Sequence, residues 1–75
     1  MRSFDRLNDF YNELLVLHQK YICDWRFGQF IMNFCVWHKN KYRSDIFYLE
    51  EDICVKRIKE YLVDMDIASK EELEE

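Results

Sequence analysis

Seventy-five residues make one domain near the smallest size at which a chain folds without help. With no proline, one glycine and three cysteines, the composition excludes a turn-rich β-sandwich and points to helices joined by short loops. Fifteen acidic against eleven basic side chains, a net charge of −4, weigh against a general nucleic-acid binder.

A first helix is expected over about 4–22. Ser3 can cap it, and Phe4, Leu7, Tyr11, Leu14, His18 and Tyr21 recur at alternating spacings of three and four, with Phe10 and Leu17 widening the stripe. Asp5, Asp9 and Glu13 form a solvated acidic stripe on another face. Asp24 can cap a second helix over about 25–38. Here Trp25, Phe27, Phe30, Ile31, Met32, Phe34, Cys35, Val36 and Trp37 project around most of the circumference. A helix that is apolar all round calls for cover on every side, which two partner helices cannot supply. Extended segments of the same chain or another chain must cover the rest.

The polar, basic run from His38 to Ser44 reads as a loop, its cations suiting a helix C-terminus. Asp45 to Leu49 is a short aromatic segment, extended or turn-like. Glu50, Glu51 and Asp52 open a third helix over about 50–65, with Cys54, Ile58, Tyr61, Leu62 and Met65 as its buried stripe. Residues 67–75 form an acidic tail, frayed or folded into one short turn by the capping-box spacing of Ser69 and Glu72. The expectation is therefore an all-α, compact three-helix bundle, a single domain over 1–66 followed by that tail.

Charge is unevenly spread. Residues 24–43 carry four basic side chains against Asp24 alone, and residues 44–75 carry four against eleven acidic ones. Three cysteines cannot all pair within one chain. With no signal peptide and no apolar run long enough to span a bilayer, the thiols point to a cytoplasmic protein with no membrane contact. His18, Cys23, Cys35, His38 and Cys54 include soft metal donors, but the chain has no Cys-x-x-Cys pair. No metal, cofactor or catalytic residue is expected, and neither is an enzyme. Gly28 stands alone and makes no phosphate loop.

Arg26, Gln29 and Asn33 draw one polar stripe through the second helix. Its expected role is a structural network with Asp45, Glu51 and Asp52 that fixes the connection to the third helix; the alternative is that the stripe faces a ligand or partner. The run Arg26-Phe27-Gly28-Gln29, with Asn33 beyond it, and then Asp45-Ile46-Phe47-Tyr48-Leu49-Glu50-Glu51-Asp52, resembles a pattern in small uncharacterised proteins of bacteria, phages and prophages. Those chains read Arg-x-Gly-Gln, a nearby Asn, then Asp-x-Phe-Tyr and an acidic helix start. The resemblance covers about residues 25–62; the Trp37-His38-Lys39 stretch departs from it. It implies a bacterial or phage cytosolic setting and a small helical fold.

The function these features suggest is a non-catalytic protein-binding module, in the phage-like setting an inhibitor of a host (defence) protein. Its expected contact residues are Arg26, Phe30, Phe34, Trp37, Lys39, Lys41, Tyr42 and Arg43, covered by another protein or a second copy of the chain. If instead Phe47-Tyr48-Leu49 folds back to close the core, the chain is a monomer. The alternative function is nucleic-acid or nucleotide binding through the aromatic-basic strip 37–43.

Overall fold

The computed structural model describes residues 3–73; the last two residues of the expected acidic tail lie outside that range. Within it the chain forms α1 (Asp5–Tyr21), α2 (Phe27–Tyr42), a single 3₁₀ turn (Ile46–Tyr48), α3 (Glu51–Asp64) and α4 (Lys70–Leu73), with no strand among the described residues. The all-α bundle expected from the sequence is the fold.

The third helix is the hub. α1 and α2 each pack on α3 and meet each other far less. α1 runs parallel to α3: Arg6 reaches Glu51 at 2.7 Å, and two turns further on Glu13 lies 3.8 Å from Lys59. The core between the three is built from Leu17, Ile22, Phe30, Phe34, Ile58, Tyr61 and Leu62, closed below by Ala68. Phe34 sits at its centre, its ring 5.8 Å from Tyr61 and 6.0 Å from Trp37.

Because α3 is almost the only partner of α1, the bundle cannot cover the whole apolar arc of that helix. It takes the edge through Phe10, Leu14, Leu17 and Tyr21. Phe4 and Tyr11, expected in the buried stripe, are exposed, as is Leu15. Phe4 rather than Ser3 is the capping position of α1; the Ser3 hydroxyl accepts the Asp5 N–H two residues on.

α2 begins two residues later than an Asp24 cap would place it. Arg26 holds the capping position, and the Gln29 side chain reaches back to accept its backbone N–H at 2.8 Å, one half of a capping box. The helix then runs through the stretch expected to be a loop and ends only at Arg43, which adopts the left-handed conformation (φ 59°). Nothing between His38 and Tyr42 breaks a helix, and Trp37, His38, Lys41 and Tyr42 all find partners on α3 that a loop could not hold in register.

The aromatic segment 45–49 is a tight 3₁₀ turn, closed by hydrogen bonds from Tyr48 N–H to Asp45 O and from Leu49 N–H to Ile46 O. Ile46 packs on the core, while Phe47 and Tyr48 point outward. The closing role foreseen for Phe47-Tyr48-Leu49 does not extend to those two rings.

α3 ends in a Schellman motif. Asp66 is left-handed (φ 59°), its N–H bonds Val63 O, and the Ile67 N–H bonds Leu62 O. That reversal returns the chain to the bundle. Ile67 and Leu73 pack on the core, Ala68 is buried, and Ser69 and Glu72 form the expected capping box. Over 67–73 the tail is therefore docked, not frayed. Met65, expected in the buried stripe, is half-exposed beside this turn. No helix among the described residues is long and apolar enough to cross a membrane.

Candidate functional site

The aromatic-basic strip at the end of α2 is turned largely against α3. His38 is fully buried. Its Nδ1 lies 2.8 Å from Ser44 O, which can only accept, so Nδ1 carries the proton. Its Nε2 then accepts from the Arg57 guanidinium at 2.7 Å. The same guanidinium lies 3.6 Å over the Tyr42 ring, and the Tyr42 hydroxyl donates to the Glu60 carboxylate. Lys41 reaches both Glu60 at 2.7 Å and Asp64 at 2.8 Å, and the Trp37 indole N–H donates to Asp64 at 3.1 Å.

These bonds shift the groups that make them. The hydrogen bond from Lys41 holds the Asp64 carboxyl below its ordinary value, against the opposing effect of burial and with help from Trp37. Burial pushes Glu60 the other way, but hydrogen bonds from Lys41 and Tyr42 prevail and hold it low. Lys41 is raised by its bonds to Asp64 and Glu60. The inward side of the strip expected to meet a ligand, Trp37, His38, Lys41 and Tyr42, is an inter-helix lock in which Lys41 is matched by Glu60 and Asp64.

The other expected contact residues divide. Phe30 and Phe34 are fully buried in the core and cannot meet a partner, a correction to their expected place. Lys39 and Arg43 are exposed, Lys39 within 3.5 Å of Asp45. Arg26, Gln29 and Asn33 are exposed as well, so the stripe is not the buried network its residue types suggested. Gln29 is used within its own helix, Glu51 is held by Arg6, and the Asp52 carboxylate accepts the N–H of Ile53. The buried polar group that does need partners is His38, and none of its buried side-chain atoms is left unsatisfied.

The soft donors are scattered. No group of three or more His, Cys, Asp or Glu among the described residues could hold a metal ion. His18 donates through Nε2 to Trp25 O at 2.8 Å and leans on the Phe30 ring, tying the end of α1 to the start of α2. Burial raises the Cys54 thiol to about 11, with Cys35 and Glu51 adding to it, and burial also raises Cys35, with Asp45 adding. A thiol so shifted is a poor nucleophile at neutral pH.

Among the exposed groups of the described residues the large apolar ones stand out, and two of the three most exposed belong to the 3₁₀ turn and are adjacent. Phe47 is 85% and Tyr48 76% exposed, their rings edge to face at 5.0 Å on the 3₁₀ turn. Beside them a surface hollow is lined by Cys35, Asp45, Ile46, Phe47 and Tyr48. On α2, Met32 and Val36 lie one turn apart on one face and are exposed. Sequence periodicity placed the surplus apolar surface on α2 but could not tell that the 3₁₀ turn would present two aromatic rings outward. The one sequence signal for that turn is the Asp45-Ile46-Phe47-Tyr48 run within the resemblance noted above. The chain matches no family model, no curated protein and no solved structure.

Proposed function

We propose that this chain is a non-catalytic protein-binding module whose contact surface centres on the Phe47–Tyr48 turn. The observation that carries the reading is the exposure of two adjacent aromatic rings on a turn fixed by its own hydrogen bonds and by the Ile46 anchor. Aromatic side chains have few rotatable bonds to immobilise on binding, and they are the kind of residue that dominates interface energetics. The resemblance to phage and bacterial proteins makes an inhibitor of a host protein, acting in the reducing cytosol, the natural form of such a module. The partner is a different protein or a second copy of the chain. Nucleic-acid binding through residues 37–43 is the weaker reading, since Lys41 is matched by Glu60 and Asp64 and only Lys39 and Arg43 of the strip's cations stand exposed.

The test places a photo-crosslinking amino acid at position 47 in the native host, identifies what it captures, and measures binding with purified components. The expected result is one predominant partner whose affinity falls about tenfold or more for the Phe47→Ser/Tyr48→Ser double variant, with unchanged helicity. Sedimentation at micromolar concentration distinguishes a second copy from a different protein. Equal binding by the double variant, or tight salt-dependent retention on heparin that Lys39→Ala and Arg43→Ala abolish, sinks the proposal.

A further inference from the structure

The parallel packing of α1 and α3 leaves a groove of about 380 Å³ along their junction. It lies in the size range of ligand-binding clefts. Phe10 and Val55, both half-buried, are its apolar lining residues. Five carboxylates (Asp9, Glu13, Glu50, Glu51 and Asp52) and three cations (Arg6, Lys56 and Lys59) also line it. Two of the cations are already held by carboxylates of the same lining: Arg6 by Glu51 at 2.7 Å, and Lys59 near Glu13 at 3.8 Å. Those two pairs cross from helix to helix at positions that flank Phe10 on α1 and Val55 on α3. The groove is therefore an apolar trough with a negative surround. The acidic face of α1, which read as ordinary wet helix surface, forms one of its walls.

We infer that this groove docks a basic amphipathic helix of a partner protein, with apolar residues one turn apart lying against Phe10 and Val55 and lysines or arginines meeting Asp9 and Asp52. Charge complementarity selects this occupant. The lining has two more acids than bases, and with the Arg6–Glu51 and Lys59–Glu13 pairs set aside its carboxylates still outnumber Lys56. A cationic segment is steered toward such a surface, whereas an acidic one is repelled. The trough between two helices is also the shape that an amphipathic helix fills. The site is separate from the Phe47–Tyr48 surface and does not depend on it.

A labelled, amidated model helix of about sixteen residues, with leucines one turn apart and lysines on either flank, probes the groove by fluorescence anisotropy; the control peptide carries glutamate in place of lysine. The lysine peptide binds, the glutamate peptide does not, and added salt weakens the complex. Asp9→Lys combined with Asp52→Lys reduces affinity about tenfold or more, while Glu71→Lys on α4 and Phe47→Ser/Tyr48→Ser leave it unchanged. If the Asp52 change perturbs the start of α3, Asp9→Lys alone gives the same direction, because Asp9 is exposed. Equal binding of the two peptides overturns the inference. So does loss of binding in the Phe47→Ser/Tyr48→Ser variant in place of the groove variants. A homodimer that dissociates on Asp9→Lys assigns the groove to a second copy and equally overturns a heterologous occupant.

Discussion

His38 shows how much one buried polar side chain can organise. It is enclosed between α2 and α3, with Phe34, Trp37 and Tyr42 rings around it, and both of its nitrogens are used. Removing Arg57 strips the donor from a nitrogen that has no access to water. Arg57→Ala should therefore lower stability by about 1–3 kcal/mol, measured by urea unfolding. Lys59→Ala, which removes only the exposed contact with Glu13, should change it by less than about 0.5 kcal/mol. Equal effects of the two variants would show that His38 finds another partner. None of this was legible in the sequence, where His38 opens a basic run that reads as a loop and Arg57 falls outside the apolar stripe of the third helix. Nineteen positions separate them, and periodicity says nothing about such a pair. The stripe of Arg26, Gln29 and Asn33 misled for the complementary reason. Its regular spacing is a property of one helix face, and that face is turned to water.

At the scale of elements, the three main helices could be read from apolar spacing because each has to bury one stripe. Their ends could not, because ends are decided by local bonds that few residues announce. α2 outran its expected stop at 38 by four residues because Lys41 and Tyr42 are held by α3. The Schellman turn after α3 docks a segment whose composition alone suggested fraying. Arg43, which ends α2, pays a conformational penalty: a left-handed φ of 59° brings its Cβ close to the following carbonyl, at a cost of about 1 kcal/mol. Arg43→Gly should remove that strain and raise the unfolding free energy by about 0.5–1 kcal/mol, part of the gain being lost to the freer unfolded chain. A drop in stability would mean that the arginine side chain contributes more than its backbone costs. The same variant leaves the Phe47–Tyr48 surface intact, so partner binding is expected to persist.

The whole molecule is held by a seam that depends on pH. Glu60 and Asp64 titrate below their ordinary values of 4.5 and 3.8 in the folded chain. The stability they contribute is fully present above those values and is lost as the pH falls through the lower folded ones. Both side chains are about one-third exposed, so solvent screening keeps the effect modest. The urea midpoint should hold nearly level from about pH 7 to about pH 5 and fall below about pH 4. In Lys41→Met, which takes away the cation both carboxylates share, the fall should be shallower. A parallel decline in the two proteins would locate the acid sensitivity elsewhere. That seam belongs to α3, the element on which everything else leans, and α3 comes late in the sequence. A ribosome making this chain releases α1 and α2 first, two helices with little surface to offer each other. The core is complete only when Ile58, Tyr61 and Leu62 of α3 and Ala68 after it are present, so cooperative folding is expected to wait for them. A premature stop ahead of Ile58, which removes Ile58, Tyr61 and Leu62 from the core, would yield neither a weakened protein nor two-thirds of one, but a chain for the protease.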